Sequence, residues 1–403
     1  MGNTLRDQIA QRIHERGPLT VSEFMELALY HPTLGYYSRA ARRTGRDGDF
    51  YTSVDVGPQF GALLATQLDE MHRLHTGTPA TGYDLVEVGA GNGQLSRDVL
   101  DAAEDNHPEL YAAVRLTLVE ISAAARASQT MKLGRHSNRL ESQRETLPEH
   151  VTGIILANEF LDALPTHAVM ATARGLHEVY VDLSGDRLIE RLGPPSTPAL
   201  AEYLERLDIH PEPGWRGEIN LAAVDWIRKA ARRLERGFLI LIDYGHTANQ
   251  LYGECHAGGT LTTFSRHVVD ATTTERPPSD SPAWLRDPGD RDITSHVDLT
   301  SICDTAIQED LSVLGVVDQT RFLLGLGALD PRPRDTNDSA GHALKRRLAL
   351  KSLLVPGGLG STHTVIVLGK GMGTPALRGC ALARTWTSRV SVRRPDNDAI
   401  ATA

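Results

Sequence analysis

The stretch YDLVEVGAGNG (residues 83–93), followed at once by QLSRDVLDAAED (94–105), decides the fold. Its first half reads as a mostly apolar strand, and its second half supplies Gly89, Gly91 and Gly93. The segment after it has helical periodicity. Glycines at such a turn let the backbone bend tightly and approach a ligand with no Cβ in the way. The rhythm repeats outward: RLTLVEIS (115–122) is a second strand, AAARASQTMKLG (123–134) a helix, and GIILANEF (153–160) and GFLILIDYGH (237–246) further apolar strands. This alternation predicts an α/β, Rossmann-like, doubly wound parallel sheet whose ligand sits outside the carboxyl ends of its strands.

Spacing narrows the ligand. A dinucleotide loop wants G-x-G-x-x-G with a pyrophosphate at the helix N-terminus. Here the glycines fall as G-x-G-x-G, position 94 is Gln, and Glu87 stands two residues before the first glycine. A carboxylate there opposes a diphosphate and suits a cationic ligand. The E-x-G-x-G-x-G form resembles the first motif of class I methyltransferases, which bind S-adenosyl-L-methionine (SAM), a sulfonium with an amino acid part and an adenosine. Glu120, at the end of the next strand, is placed to accept two ribose hydroxyls, a feature shared with NAD folds. The bland alternative is a strand-to-helix turn that binds nothing.

The flanks divide the chain. Residues 1–80 read as a mainly helical cap, with a T-x-x-E box at Thr20 and Glu23 before VSEFMELALY and a stop near His31-Pro32. A glycine- and aromatic-rich loop (35–53) follows, whose GDFYTS end can fold back as a lid. Residues 81–165 form the first half of the α/β domain. Residues 166–236 carry an antiparallel meander, with turns at Arg174-Gly175 and Ser184-Gly185, and two helices. So long an insertion between sheet strands reads as a substrate-side cap, as a homodimer surface, or as packing decoration. Residues 237–372 complete the sheet around a long polar loop (270–292), and 373–403 read as a disordered tail.

Bulk properties exclude several classes. Lys and Arg total 42 against 51 Asp and Glu, a net charge of -9, which argues against a nucleic-acid-coating protein. The cysteines, Cys255, Cys303 and Cys380, form no C-x-x-C pair, so neither a disulfide framework nor a zinc site is expected. His31, His167 and His296 read as scattered packing or surface residues, not metal ligands. The opening residues fit neither a signal peptide nor a presequence, and no run is long enough for membrane insertion; a cytoplasmic protein is expected.

Three further segments should reach the crevice: Asn158-Glu159-Phe160-Leu161-Asp162, Asp243-Tyr244-Gly245-His246 and the 48–53 loop. Methyl transfer from a sulfonium is an in-line displacement that needs positioning and exclusion of water. Glu159 and Asp162 can clamp a cationic acceptor such as a guanidinium, whose fork matches carboxylates. They read equally as a helix cap and a solvated surface acid. Asp243 and His246 can orient the acceptor or act as a base. They read equally as a strand-end turn with Gly245 at a special dihedral angle.

Taken together, GPLTVSEFMELALYHPTLGYY, GDFYTS, VEVGAGNGQL, LVEIS, ANEFLDALPTH, EVYVDL, LIDYGH, DITSHVDLT and TRFLLGLG resemble the MidA family of SAM-dependent methyltransferases over residues 17–370. The resemblance implies a class I fold with an inserted subdomain and SAM as cofactor. Its mitochondrial members methylate an arginine of a complex I subunit, which implies a protein acceptor with an exposed arginine. By motif position, Glu87, Gly89, Gly91 and Gly93 lie at SAM and Glu120 at its ribose, while Asn158, Glu159 and Asp162 face the acceptor, Asn158 also bordering the cofactor. The chain departs at Ala90, where many relatives carry proline, at Asn92, and in the length of the 270–292 loop. A small-molecule N- or O-methyltransferase, a non-catalytic SAM-binding assembly factor and an NAD-dependent oxidoreductase are the competing readings.

Overall fold

The computed structural model describes residues 4–38, 52–75, 82–265, 268–271, 281–330, 340–355, 362–383 and 386. Two helices, α1 (Leu5–Arg16) and α2 (Val21–Tyr30), flank the short strand β1 (Leu19–Thr20). Thr20 and Glu23 form the expected reciprocal cap, and Thr4 with Asp7 forms a second at the start of α1. Such caps satisfy helix-start N–H groups that otherwise have no partner. Helix α3 (Gln59–Leu74) then leads into the sheet.

The first half of the sheet runs β2 (Tyr83–Val88), α4 (Gln94–Asn106), α5 (Pro108–Ala113), β3 (Val114–Val119), α6 (Ala123–Leu133), β4 (Leu140–Arg144) and β5 (Val151–Asn158). An inserted region follows, with β6 (His167–Thr172), β7 (Gly175–Ser184), β8 (Arg187–Gly193), α7 (Ala199–Arg206) and β9 (Arg216–Ile219). The chain returns through α8 (Leu221–Arg233) to β10 (Leu234–His246) and α9 (Ala248–Leu251). The short strands β11 (Thr262–Ser265), β12 (Val268–Ala271), β13 (Asp292–Thr294) and β14 (Val297–Asp298) precede α10 (Leu299–Gln308). It ends with β15 (Ser312–Asp318), α11 (Gln319–Gly325), α12 (Ala340–Leu354) and β16 (His363–Lys370).

The main sheet is ordered β15-β16-β10-β5-β2-β3-β4, with β14 added beside β10. Strands β10, β5, β2, β3 and β4 are parallel, and β16 runs antiparallel to both its neighbours. One face packs on α3, α4 and α11 through Phe60, Leu64, Val99 and Phe322. The other packs on α8 and α10 through Ile227, Ala231 and Ile302. This is the doubly wound α/β fold that the glycine-loop sequence predicts. Strand order reverses between β2 and β5, so the crevice opens where the glycine loop and Asn158-Glu159 emerge.

The meander is present, with β7 pairing antiparallel to both β6 and β8. Two segments invisible to alternation join it: β1 pairs with β7 and β9 with β6. The meander, α1 and α2 share one core with Trp284, Leu285 and Ile293. The 270–292 stretch is therefore not all loop: Trp284 is buried edge-on to Phe24, and β11, β12 and β13 form a small sheet at its base.

Two further expectations change. Helix α8, read with the insertion ending at 236, packs on the central sheet because Ala223, Ile227, Ala230 and Ala231 line one face of it. The chain after Gly373 does not leave the body at once: Leu377 is buried, Gly379 lies against Phe322, and the Gly379 N–H donates to Gln67 Oε1 (3.0 Å). Residues 387–403 lie outside the described residues, as do Arg42, Arg43, Arg46 and the 48–51 part of the lid. No helix among the described residues is long and apolar enough to cross a membrane.

Candidate active site

The glycine loop closes β2 onto α4. Gly89, Gly91 and Gly93 have φ of 68°, 50° and 83°, the left-handed region where a Cβ is costly. Around Gly91 a Cβ would meet nothing within 4 Å, so its side opens into the cavity. Glu120 braces the loop: one carboxylate oxygen accepts from the Gly91 N–H (2.8 Å), the other from the Ser122 N–H (2.7 Å). Asn92 Oδ1 accepts from the Gln94 N–H (3.0 Å), so this departure from the family pattern forms an Asx turn ahead of α4.

Glu87 is turned beneath the loop. One of its oxygens accepts from the Ser96 N–H (3.1 Å) and, very closely, from the Ser96 hydroxyl, in the first turn of α4. Burial pushes its carboxyl up to about 7, against the pull of those donors. Glu87 also borders the cavity, which it shares with Gly89, Gly91, Glu120 and Asn158; Gly93 sits behind them at the helix start. At about 2090 Å3 the cavity exceeds the size of a drug-like site and has room for a cofactor plus part of an acceptor.

Asn158 ends β5, and its Oδ1 is buried with no hydrogen-bond partner among the described residues. A buried acceptor of this kind costs stability unless a ligand donor reaches it. The next residue, Glu159, takes φ 47°, held by its N–H donating to Ile242 O (2.7 Å). Its Oε1 accepts from the Ser53 N–H (3.4 Å) and Asn158 Nδ2 (3.3 Å) and lies 3.5 Å from His363 Nε2. The lid segment thus reaches Glu159 through Ser53. Non-glycine residues in left-handed backbone concentrate at functional sites.

Asp162 faces the same cavity, buried, with Oδ1 unpartnered among the described residues. Burial first, then Asp243, Asp292 and Glu159, raise its carboxyl well above the usual range. Asp292 receives the Tyr37 hydroxyl on both oxygens (3.0 and 3.1 Å), and Tyr30 donates to Ala163 O (2.9 Å). Glu159, Asp162 and Asp292 therefore form an acidic wall backed by two tyrosines from the N-terminal cap. Nothing in the sequence pointed to Asp292, Tyr30 or Tyr37 individually, since β13 and the cap meet only in three dimensions.

Asp243 is not an acceptor-binding group. One oxygen accepts from the N–H groups of Phe160, Leu161 and Asp162 (3.1, 2.7 and 3.3 Å), the other from that of Tyr244 (2.8 Å). Burial lifts its carboxyl to about 6 although these donors pull it down. Both oxygens hold the turn that carries Glu159 and Asp162, and Asp243, unlike Glu120, does not line the cavity, so neither the base nor the orienting role survives. Gly245 has no special dihedral angle; a Cβ there would strike Leu299 and the Val297 carbonyl.

His246 does line the cavity, and it has company. Its ring lies 4.7 Å from that of His256 and 5.1 Å from that of His296. His296, expected to be a scattered packing residue, is thus on the wall of the site. Burial, then the neighbouring imidazoles, lowers His296 to about 4 and also lowers His246. His31 and His167 are packing residues, pairing with Gln8 (3.0 Å) and Glu178 (2.7 Å).

A family described as S-adenosyl-L-methionine-dependent methyltransferases matches residues 53–317. The mouse protein arginine methyltransferase NDUFAF7, mitochondrial, is 29% identical over 82% of this chain and 76% of its own length. Its human counterpart is 28% identical over 84% and 77%. A crystal structure of a protein from Burkholderia thailandensis bound to S-adenosyl-homocysteine superposes with a TM-score of 0.82 at 28% identity, covering 94% of this chain and 95% of that one. The left-handed glycines, the carboxylate at the end of β3 and the unpartnered Asn158 oxygen fit S-adenosyl-L-methionine, and the chain belongs to the MidA family of methyltransferases that use it.

Proposed function

We propose that this methyltransferase modifies a guanidinium nitrogen of an arginine on another protein. The observation that carries the reading is the buried, unpartnered Asp162 Oδ1 on a wall shared with Glu159 and Asp292, beside the cofactor loop. Without a cation this wall is costly, since three carboxylates face one another in a partly dry cavity. A guanidinium offers a planar set of N–H donors to such oxygens. The names of the curated relatives, protein arginine methyltransferases, support the same acceptor.

The bound cofactor supplies an electrophilic methyl group on sulfur; the chain supplies position and a route for the proton. Glu159 and Asp162 accept hydrogen bonds from the guanidinium and fix which nitrogen faces the methyl carbon. As that nitrogen gains its methyl, the C–S bond breaks, S-adenosyl-homocysteine leaves, and the nitrogen sheds a proton. Asp162, ionised beside the guanidinium, is the residue placed to take it, and its burial favours the protonated form that results. The lid contact from Ser53 and the tyrosines exclude water from the displacement.

Labelling cell extracts with methyl-labelled SAM and sequencing the labelled peptides tests the proposal. Label on arginine in one or a few proteins is the expected result. Label confined to small molecules, or to other side chains, overturns it.

A further inference from the structure

We propose that His246, His256 and His296 form a binding site for one divalent transition-metal ion, of the zinc type, in the wall of the cavity. The three arrive from separate parts of the fold. His246 is the last residue of β10, His256 ends the single turn Glu254–His256, and His296 stands between β13 and β14. Each offers one ring nitrogen, and these nitrogens lie within 4.8 Å of one another. A zinc ion about 2.0–2.1 Å from each nitrogen needs them about 3.3 Å apart, so small ring rotations close the set.

Two details set this cluster apart from a casual stack of imidazoles. His256 Nδ1 lies 2.9 Å from the Gln250 carbonyl oxygen, which can only accept. Nδ1 therefore carries the hydrogen, and Nε2 keeps its lone pair for a metal. A ligating histidine is commonly oriented in this way, by a carbonyl on its other nitrogen. The His296 backbone N–H donates to Thr260 Oγ1 (3.0 Å), while its buried ring Nδ1 has no hydrogen-bond partner among the described residues. A buried nitrogen without a partner is destabilising. Coordination removes that cost.

The donor set decides the ion. Three imidazoles without a thiolate or a carboxylate suit zinc, nickel, copper or iron and not magnesium or calcium, which favour oxygen. His246 and His296 border the cavity, whereas His256 is not among its lining residues. The ion would pin β10, the 254–256 turn and the β13–β14 connection to one another. The in-line displacement itself does not require it.

The test uses the full chain with any affinity tag removed and the protein stripped by chelator. Zinc is titrated against a chromophoric competitor, and cobalt substitution reports nitrogen ligation through its visible d–d bands. One equivalent of tightly bound zinc is expected. His256→Ala and His296→Ala should each weaken it at least about 100-fold. S-adenosyl-homocysteine affinity, read by calorimetry, should stay within about two-fold and so certify that the variants fold. Wild-type binding no tighter than millimolar, or variants that bind as tightly as wild type, overturns the proposal. Should a substitution unfold the chain, the wild-type cobalt spectrum decides: nitrogen-ligated bands support the site, and the spectrum of the free aquo ion rejects it.

Discussion

Glu159 shows how much of the chemistry rests on one backbone angle. At φ 47° the chain turns its carboxylate into the cavity, where Ser53, Asn158 and His363 gather around it. Sequence placed this residue at a strand end, and the ANEFLD motif made it a candidate; its left-handed backbone was not readable there, because tertiary contacts hold it. If Glu159 and Asp162 hold the acceptor, Glu159→Gln and Asp162→Asn should slow methyl transfer by about 10²–10⁴-fold. Affinity for S-adenosyl-homocysteine should change by no more than about three-fold. Single-turnover transfer and calorimetry read the two quantities separately, and full transfer by both variants would sink the clamp. Glu120 is the residue proposed for the cofactor instead. Glu120→Ala removes the brace on Gly91 and Ser122 as well as the proposed ribose acceptor, and S-adenosyl-homocysteine should bind about 10- to 100-fold more weakly in the same titration.

At the scale of elements, what could be read from sequence followed the hydrophobic period. Strands β2, β3, β5, β10 and β16 are long, buried on both faces and bounded by glycine or polar turns, so each stood out. Strand β4 (LESQR) is an exposed edge, and β1 and β9 are two and four residues long. Their pairing partners, not their own composition, make them strands. Asp243 follows the same logic. Its sequence position at a strand end suggested chemistry, whereas its four backbone donors make it the peg that joins β10 to the turn after β5. Asp243→Ala leaves those buried N–H groups without an acceptor and should cost at least about 3 kcal/mol of stability. Asp243→Asn, which keeps one carbonyl oxygen, should cost less. Urea unfolding of both variants checks the order; equal and small losses would mean the turn is held by other contacts.

Across the whole molecule, the cap, the meander and the Trp284 segment form a second body over the carboxyl ends of the sheet, and the cavity lies between the two. Burying acids to build that cavity ties stability to pH. Glu87 is the sharpest case, with its folded-state carboxyl raised from 4.5 to about 7, chiefly by burial. The folded chain then binds this proton more tightly than the unfolded chain does. Stability from Glu87 is therefore greatest below about 4.5, falls as pH rises through the window to about 7, and levels off above it. His296 runs the other way: lowered from 6.5 to about 4, it adds stability as pH rises across that range. A raw melting curve mixes the two signs, so the comparison must isolate one group. Glu87→Gln keeps an oxygen for the Ser96 N–H and hydroxyl but cannot ionise. The stability of this variant relative to wild type should grow between pH 4.5 and 7 by roughly 3 kcal/mol at most, then hold constant. Denaturant unfolding of both chains at a series of pH values measures it. Curves that stay parallel would mean that Glu87 remains ionised in the folded protein, held so by Ser96 at the helix start, and that the cavity keeps its negative charge at every working pH.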